Sequence, residues 1–451
     1  MSLIPAGFAD RNICIIGLGY VGLTLAVAMA DLGFRVHGVE KREDVVADLK
    51  RGEPHFWEPR LREKMERVMR KGALTMSGDF AGAANASVYI ITVGTPLGKD
   101  GKAQLGMVRS VSEQVAANAP KGSLVILRST VALGTARNIV KPILDAAGKD
   151  LKIAMCPERT LEGRALIELH ELPQVIGADE ADTRTRCMQL FNLVTRTTVA
   201  VRSLETAELV KLIDNTYRDV TFAFANEVAE LCSHLGVSAT EVIRSGKLGY
   251  PRTNVPLPGP VGGPCLEKDP HILCESAAAL GVDMPITRAS RGVNEAQPKR
   301  AAAHIRNWSS VRSGFPTTPR ISLLGLAFKG FPATDDLRGT MALPIYRALQ
   351  DTFPKAEFVA WDPVVKPADI ASMFNMPVAP SLEEAFADAN IAVIMNNHHV
   401  FATADLGALT QRMARPGLVY DFWNMFEDVE ETLPDHVDCL ALGSENARAW
   451  A

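Results

Sequence analysis

The stretch Ile13-Cys-Ile-Ile-Gly17-Leu-Gly19-Tyr-Val-Gly22 lies near the start of the chain and decides its fold class. An apolar run leads directly into three glycines with GxGxxG spacing, and apolar residues continue to Ala30. Such glycines permit a tight turn between a strand and a helix, and they let a pyrophosphate approach the helix N-terminus, where free N–H groups favour anions. The stretch therefore predicts a buried strand and helix of a dinucleotide-binding domain, rather than a membrane segment or a signal peptide.

A carboxylate at Glu40 strengthens this prediction, because it ends the second apolar run at the distance from Gly22 that this motif requires. There it can accept hydrogen bonds from both ribose hydroxyls, and it would repel a 2′-phosphate. NAD is therefore predicted over NADP as the cofactor. Lys41 and Arg42 keep NADP open as the alternative.

Strand-like runs alternate with amphipathic helical patterns in the first part of the chain, which is typical of a mostly parallel sheet with helices on both faces. One long helical pattern then runs from Ser203, a candidate N-cap, to Leu235, with Gly236 as the stop. Its wide apolar stripe suits a dimer interface, although packing within one chain explains it equally well. A second α/β pattern follows a linker near 312–320. The predicted strands are Asn12–Ile16, Arg35–Glu40, Ser87–Val93, Ser123–Leu127, Leu151–Met155, Thr198–Val201, Ile321–Leu324, Glu357–Trp361, Ile391–Met395 and Leu418–Asp421.

The composition narrows the class of protein further. A chain of 451 residues with 47% hydrophobic and 22% charged residues is expected to fold into more than one domain. The net charge of −4 argues against nucleic-acid binding. Seven scattered cysteines, without a CxxC pair or zinc-ligand spacing, predict reduced thiols in a cytoplasmic protein, with neither a disulfide framework nor a metal site.

Cys265 is the cysteine with the strongest chemical signal. It follows a Gly/Pro-rich stretch over 249–264 and precedes Lys268 and Asp269, a setting that suits a nucleophilic thiolate. A thiolate can capture an aldehyde as a thiohemiacetal, lose a hydride to give a thioester, and release an acid to water. The alternative, a small buried apolar side chain, is the prediction for Cys14 and Cys232.

Three further residues are candidates because of their positions. Lys211 and Asn215 lie four residues apart on one face of the long helix and could donate to a sugar hydroxyl or an oxyanion. Glu158 follows a strand end and could be a base for a hydrolytic water. By themselves these residues fit a solvated helix face and an ordinary loop carboxylate, and only their combination with Cys265 favours catalysis.

Taken in order, these segments resemble the UDP-glucose/GDP-mannose dehydrogenase family over nearly the whole chain. The matching motifs are Gly17-Leu-Gly-Tyr-Val-Gly22, Val93-Gly-Thr-Pro96, Ser129-Thr-Val131 with Gly134-Thr135, Pro157-Glu158, Lys211-Leu-Ile-Asp-Asn215, Gly262-Gly-Pro-Cys265, Lys268-Asp269, Gly325-Leu-Ala-Phe-Lys329 and Asp336-Leu-Arg338. The resemblance implies an α/β fold of two Rossmann-like domains joined by a long central helix. The predicted boundaries are 1–202 for NAD binding, 203–311 for the central helical domain with the cysteine loop, and 312–451 for nucleotide-sugar binding.

The resemblance also implies an activity: NAD-dependent, four-electron oxidation of a nucleotide sugar from CH2OH to carboxylate at C6. The product would be a uronic acid, a precursor of polysaccharides. We expect a homodimer or an assembly of dimers, with no nucleic-acid or membrane partner. Two rival hypotheses are a two-electron β-hydroxyacid-type dehydrogenase, which needs neither Cys265 nor the second α/β domain, and a non-catalytic NAD- or nucleotide-binding scaffold, which would not need Cys265, Lys211 or Glu158.

The family's site residues are carried over by motif. Cys265 would be the nucleophile and Glu158 the acid/base, Thr130 would hold the water, Lys211 and Asn215 would stabilise the oxyanion, and Asp269 would support Lys211. The residues expected to face NAD are Gly17, Gly19, Tyr20, Val21, Glu40, Thr95, Thr130, Glu162, Lys268 and Arg338. Those expected to face the nucleotide sugar are Glu158, Arg159, Lys211, Asn215, Arg252, Phe328 and Lys329.

The sugar is predicted from a few positions. Arg159 and the pair Arg218-Asp219 resemble the branch that oxidises UDP-N-acetylhexosamines, whereas Lys268 resembles the UDP-glucose branch, which stays the alternative. A guanidinium could engage an N-acetyl carbonyl. The chain departs from the family's pattern at Arg128, where glutamate is common, and at Gly339-Thr340, where Glu-Ser is common.

Overall fold

The computed structural model describes residues 4, 5, 7–426 and 432–443. The chain divides into a first unit, Met1–Asp214 with His271–Asp283, and a second unit, Asn215–Pro270 with Met284–Ala451. The domain boundaries expected from the sequence stay a prediction. No helix in the described part of the chain is both long and apolar enough to span a membrane.

The strands are short and almost all parallel. They are β1 (Asn12–Ile16), β2 (Arg35–Val39), β3 (Leu74–Ser77), β4 (Val88–Ile91), β5 (Leu124–Leu127), β6 (Lys152–Met155), β7 (Gln174–Gly177), β8 (Thr198–Val201), β9 (Arg320–Leu324), β10 (Glu357–Trp361), β11 (Ile391–Ile394), β12 (Gly417–Asp421) and β13 (Val437–Ala441). All the strands predicted from the sequence are present, while β3, β7 and β13 were not predicted.

Helices occupy the crossovers between these strands. They are α1 (Tyr20–Leu32), α2 (Glu43–Lys50), α3 (Leu61–Arg70), α4 (Gly106–Asn118), α5 (Lys141–Ala146), α6 (Ala165–Glu171), α7 (Ala181–Phe191), α8 (Leu204–Leu235), α9 (Ala239–Lys247), α10 (Gly263–Leu266), α11 (Asp269–Ala279), α12 (Pro285–Ser310), α13 (Ala342–Thr352), α14 (Pro367–Phe374), α15 (Leu382–Phe386), α16 (His399–Ala402) and α17 (Leu406–Thr410). A short 3-10 helix at Ala81–Ala83 and a π-helix at Ala136–Val140, which leads into α5, complete the helical segments.

The first unit contains an eight-stranded sheet in the order β3-β2-β1-β4-β5-β6-β7-β8, with β6 and β7 antiparallel and the other pairs parallel. Alternate residues of its central strands enter separate cores, because side chains of a strand point to opposite faces. Ile13 and Ile15 pack in one core, while Cys14 and Ile16 pack in the other. The order 3-2-1-4-5-6 is that of a dinucleotide-binding Rossmann fold, whose ligands bind beyond the carboxyl ends of β1 and β4.

The second unit contains a five-stranded parallel sheet in the order β10-β9-β11-β12-β13. The turn after β9 makes the same hydrogen bond as the turn after β1. Gly325 donates to the Trp361 carbonyl over 3.0 Å, as Gly17 donates to the Val39 carbonyl over 2.8 Å. Asp362 accepts from the Leu326 amide over 2.7 Å, as Glu40 accepts from the Leu18 amide over 3.0 Å. The second unit therefore has a Rossmann-like turn of its own.

Helix α8 confirms the long central helix predicted from the sequence. The Ser203 hydroxyl accepts the Thr206 amide over 3.1 Å, which is an N-cap bond, and Gly236 follows the helix with a φ of 69°. The division between the two units falls inside this helix, after Asp214. The helix therefore supplies Lys211 to the first unit and Asn215 to the second.

Candidate active site

The first unit places three predicted site residues directly after neighbouring strands. Thr95 follows β4, Thr130 follows β5, and Glu158 follows β6. Because β4, β5 and β6 are parallel neighbours, these loops lie at the same edge of the sheet. The Thr95 hydroxyl donates to the Thr130 carbonyl, so two of the loops are joined.

The glycine turn after β1 has the shape required to hold a pyrophosphate. A Cβ at Gly22 would lie 1.9 Å from the Gly17 carbonyl oxygen, so the protein's own packing requires glycine there. A Cβ at Gly19 would meet nothing within 4 Å, and Gly19 has an ordinary φ of −67°. Nothing inside the protein requires glycine at that position, which fits a surface left open for a ligand at the start of α1.

Glu40 is held at the end of β2 beside this turn. Its carboxylate accepts from the amides of Leu18, over 3.0 Å, and Arg42, over 3.1 Å, and the Arg42 side chain forms an ion pair with it. Burial by itself would raise the pKa of Glu40, but Arg42 and the two amides hold it below its ordinary value. Arg42, which had kept NADP as an alternative cofactor, is thus paired with Glu40, the carboxylate that would repel a 2′-phosphate.

Glu40→Ala is expected to weaken NAD binding by about 10- to 100-fold, because hydrogen bonds to a charged group contribute roughly 1.5–3 kcal/mol. Discrimination against NADP should fall as well, since Arg42 loses its partner. Calorimetric titration with each cofactor measures both effects. Glu43→Ala is the matched control, because it removes an exposed carboxylate three residues away. Equal losses in the two variants would contradict the assignment.

Tyr20 lies in the glycine turn, but its hydroxyl points into the protein. It donates to the Glu58 carboxylate and accepts the Gly163 amide over 2.8 Å. Burial and the neighbouring Glu58 carboxylate raise the pKa of Tyr20. Glu58 also accepts the Gly163 amide over 2.7 Å, so it fixes the loop beside Glu162. No sequence motif indicated Glu58, because it is 38 residues from Tyr20.

Glu158 and Lys211 are both buried. Burial alone would raise the pKa of Glu158, but the Arg128 guanidinium, the Thr160 amide and Lys211 together hold it below its usual range. The alternative reading of Lys211 and Asn215 as a solvated helix face is wrong, since each exposes less than a tenth of its surface: 7% and 6%.

Glu208 secures the loop that follows Thr130. Its two carboxylate oxygens accept the Gly134 amide over 2.6 Å and the Ala136 amide over 2.8 Å. Burial raises the pKa of Glu208 to about 7, which these amides oppose only in part. Glu208 is one helical turn from Lys211 on the same face of α8, so one helix positions both the loop and the ammonium.

The raised pKa of Glu208 predicts a pH dependence of stability. Between about pH 4.5 and 7 the folded chain binds this proton and the unfolded chain does not, so stability falls as the pH rises. The free energy of unfolding of the wild type minus that of Glu208→Gln should fall by about 2–3 kcal/mol from about pH 4.5 to pH 7. Urea denaturation at several pH values measures it. Glu205→Gln should show no such slope, because hydrogen bonds from Arg137 lower the pKa of Glu205; a flat difference for Glu208→Gln would refute the prediction.

The second unit contains a buried polar cluster around Asp269, which is fully buried. Asp269 accepts the Asn215 amide group over 2.6 Å and the Lys268 ammonium over 2.7 Å. The carboxylate thus orients the predicted oxyanion donor Asn215. It also holds Lys268, which was expected to face NAD.

Cys265 is half-buried in the short helix α10. The residue before Pro264, Gly263, has a φ of 90° and donates to the Gly339 carbonyl over 2.7 Å, and a Cβ on it would lie 2.4 Å from the Phe328 ring. Gly339 also has a positive φ, 61°. Glycine at 339 is therefore accounted for by its close approach to the cysteine loop.

The Gly/Pro-rich loop before Cys265 is irregular, as predicted, and α8 holds it. The side chain of Asn226 accepts the Gly259 amide over 3.0 Å and donates to the Gly259 carbonyl over 3.1 Å. The Trp423 ring covers the same glycine, since a Cβ there would lie 2.8 Å from the ring. The loop thus reaches Cys265 along a defined path.

The remaining predicted binding residues lie in loops with other partners. Arg252 stacks on the Tyr250 ring at 4.5 Å, and Lys329 lies 5.4 Å from the centre of the Phe328 ring. Arg338 forms an ion pair with Asp336, and Arg159 forms one with Asp214 over 3.3 Å. Arg218 is exposed. Their roles towards a ligand stay predictions.

The glycine turn, the acid at the end of β2 and the open surface at Gly19 fit NAD, which would be a hydride acceptor, and together with the Rossmann sheet they define an NAD-binding protein. The models for the UDP-glucose/GDP-mannose dehydrogenase family match three regions: the NAD binding domain at 11–208, the central domain at 205–296 and the UDP binding domain at 322–428. The chain belongs to this family and is an NAD-dependent UDP-sugar dehydrogenase.

Individual relatives agree with this assignment. The UDP-N-acetyl-D-mannosamine dehydrogenase of Pyrococcus horikoshii is 30% identical over 422 residues, which cover 92% of this chain and 96% of the relative. A solved structure of UDP-D-ManNAc dehydrogenase from the same organism has a TM-score of 0.86 at 28% identity, covering 96% of this chain and 99% of that one. A UDP-glucose dehydrogenase from Pyrobaculum islandicum has a TM-score of 0.84 at 26% identity, with 98% and 100% covered.

Proposed function

We propose that this chain oxidises a UDP-N-acetylhexosamine, most specifically UDP-N-acetyl-D-mannosamine, at C6 from CH2OH to carboxylate with two NAD per sugar. The names of the relatives support the sugar, and their alignments span most of the chain. One observation carries the chemistry: the half-buried Cys265 lies in a loop fastened to Phe328 and Gly339 of the UDP binding domain.

The proposed reaction balances as two oxidations and one hydrolysis. The alcohol first loses a hydride, for which NAD would be the acceptor, and a proton, which passes to solvent, to become an aldehyde. The Cys265 thiolate then forms a C–S bond to the aldehyde carbon, and the resulting thiohemiacetal loses a second hydride to become a thioester. A water oxygen attacks the carbonyl carbon, the C–S bond breaks with its electron pair returning to sulfur, and the two water protons pass to solvent, the first by way of Glu158. The product is a carboxylate.

Each remaining residue has a role in these steps that its surroundings support. Lys211 and Asn215 would donate to the oxyanion, and Asp269 holds Asn215 in place over 2.6 Å. Thr130 would hold the hydrolytic water, and Glu158 would direct it. Removing these donors would raise the barrier to the charged intermediates, because they lie in buried surroundings.

Among the side chains, Arg159 is the one that favours an N-acetylated sugar, because it would reach an N-acetyl carbonyl. Its guanidinium donates to the Pro173 carbonyl and to Asp214. It would have to release at least one of these acceptors to bind the sugar. UDP-glucose is therefore the second candidate substrate, supported also by the TM-score of 0.84 with a UDP-glucose dehydrogenase.

A homodimer through α8 is part of the proposal. Tyr217, Phe224, Leu231 and Leu235 are each more than half exposed: 61%, 54%, 60% and 66%. Their spacing of seven, seven and four residues puts them on one stripe of the helix. Such a stripe is more apolar than a monomer's surface requires.

The seven thiols, none of them in a disulfide, fit a reducing compartment such as the cytoplasm.

Phe224→Glu with Leu231→Glu is expected to convert the dimer to a monomer, because two buried charges would face their own copies. Light scattering coupled to gel filtration measures the mass. The control pair Glu227→Gln with Arg218→Gln changes exposed charges of the same helix and should leave the mass at twice 48.8 kDa. A monomeric wild type, or a dimeric double variant, would contradict the interface.

The substrate proposal is tested by incubating the protein with NAD and a panel of UDP-sugars and measuring NADH per sugar consumed. Two NADH and an acid from UDP-N-acetyl-D-mannosamine are expected. A preference for UDP-glucose would change the sugar and keep the reaction. One NADH per sugar would refute the thioester route, and no turnover despite NAD binding would refute the proposed function.

A further inference from the structure

Arg128 is one of the most deeply buried charged side chains of the first unit, with 2% of its surface exposed. It follows β5, and its guanidinium reaches the loop after the neighbouring strand β6. It donates to the Gln174 side chain over 2.7 Å and to the Cys156 carbonyl over 3.1 Å. These contacts fix the plane of the guanidinium, so its remaining donors point in one direction.

Those donors point at Glu158. Arg128 donates through Nε, over 3.0 Å, and through Nη2 to the same carboxylate oxygen, Oε2. The other oxygen, Oε1, accepts the amides of Arg159 over 2.7 Å and Thr160 over 2.8 Å. The carboxylate thus accepts four hydrogen bonds, about as many as its lone pairs allow.

This arrangement acts on the charge of Glu158 as well as on its position. A buried carboxylate without partners becomes neutral, because burial disfavours the charged form. Arg128, the Thr160 amide and Lys211 together reverse that preference, and Arg128 is the largest of these opposing influences. Arg128 also donates two hydrogen bonds to the carboxylate, so its loss should change the protonation of Glu158 while both backbone amides and Lys211 stay in place.

We propose that Arg128 is a positioning residue that fixes the Glu158 carboxylate and thereby sets the pH range in which the thioester on Cys265 is hydrolysed. The inference rests on the proposed function. Hydrolysis forms a C–O bond from water, breaks the C–S bond with its electron pair returning to sulfur, and passes the two water protons to solvent, the first by way of Glu158. That step needs Glu158 charged and correctly oriented, whereas formation of the first aldehyde does not.

The test measures the two steps separately in Arg128→Met and in the wild type. Single-turnover absorbance of NADH follows the first hydride transfer, and decay of the acid-quenched acyl-enzyme follows hydrolysis, both with UDP-N-acetyl-D-mannosamine from pH 4 to 9. Without the guanidinium, burial raises the pKa of Glu158. The acidic limb of hydrolysis should then move up by about one to three pH units, while the first step keeps its profile.

Arg186→Met is the matched control. Arg186 also forms a two-pronged pair with a buried carboxylate of the first unit, Asp10, at 2.8 and 2.7 Å. Its loss should lower stability without moving the acidic limb. Arg128→Lys keeps the positive charge but loses the two-pronged hydrogen bond to Glu158. The acidic limb of hydrolysis in this variant should therefore move by less than half the shift expected for Arg128→Met. If Arg128→Met does not fold, Arg128→Lys decides the outcome.

A direct readout separates this inference from the proposed function. Infrared difference spectra against Glu158→Gln report whether the Glu158 carboxyl is protonated, with or without turnover. Protonation near neutral pH in Arg128→Met, and only in acid in the wild type, is expected. Unchanged titration of Glu158, or an equal shift of both steps, would overturn the role of Arg128. The expected titration without turnover of any UDP-sugar would leave that role standing and reject the function.

Discussion

Cys265→Ser is expected to abolish formation of the acid, with a loss on the order of 10³-fold or more in steady turnover. A serine hydroxyl is hardly ionised at neutral pH, so it captures an aldehyde poorly, and an ester on serine hydrolyses more slowly than a thioester. NAD binding should be unchanged, because the replacement keeps the glycine turn, Glu40 and the other residues expected to face NAD. Rapid-quench measurement of NADH and acid, with calorimetry for NAD, tests both statements.

Cys274→Ser is the matched control, since Cys274 is half-buried like Cys265 and receives the same replacement. It should retain turnover within about twofold. Two NADH per sugar at wild-type rate in Cys265→Ser would refute the thioester route. Loss of folding in Cys265→Ser is not expected, because serine nearly matches cysteine in volume and the site is partly open to solvent.

Arg291→Met is expected to destabilise the second unit by about 3–5 kcal/mol, because it leaves a buried charge without its partner. Asp219 is fully buried and accepts from Arg291 and, over 2.9 Å, from Asn294. Burial raises the pKa of Asp219, and Arg291 opposes that rise. Arg291 also donates to the Leu266 carbonyl over 3.2 Å, so its loss should lower the activity that depends on Cys265.

Glu295→Gln serves as the control, because Glu295 contacts the same arginine from a half-exposed position. It should change the free energy of unfolding by no more than about 0.5 kcal/mol. Adding Asp219→Asn to Arg291→Met should recover part of the lost stability, since a neutral amide is less costly to bury than an unpaired carboxylate. Urea denaturation of the four proteins measures these differences, and equal midpoints for Arg291→Met and Glu295→Gln would contradict the role of the pair.

Local patterns in the sequence were sufficient for most of the fold. The alternation of apolar strands and helices predicted the sheet of the first unit, and Ser203 and Gly236 predicted both ends of α8. The strands β3, β7 and β13 were missed; Leu74–Ser77, for example, has two polar residues among its four and lacks the apolar run that marked strands of the same length such as Val88–Ile91. Two Rossmann-like domains were expected from the family resemblance, but the hydrogen bonds that the turns after β1 and β9 share could be seen only in the structure.

In the candidate site, too, some residues were predicted from the sequence and others could be identified only in the structure. Glu40 and Cys265 were predicted from the residues around them in the sequence, whereas Glu158 and Lys211 were predicted only in combination with Cys265. The distant partners of the buried carboxylates in the two units were not found. Arg128 is 30 residues from Glu158, Asp219 is 72 from Arg291, and Glu208 is 72 from the Ala136 amide.

By itself the sequence determined the class of fold, the cofactor and the residues that could react, since turns, helix ends and motifs depend on neighbours along the chain. The tertiary structure decided which charges are buried, which are paired and what each carboxylate accepts. The sequence showed that Arg128 departs from the family's pattern. Its role became clear only from its hydrogen bonds to Glu158, which follows the neighbouring strand β6. Buried charges need partners, and only the folded chain brings them within hydrogen-bonding distance.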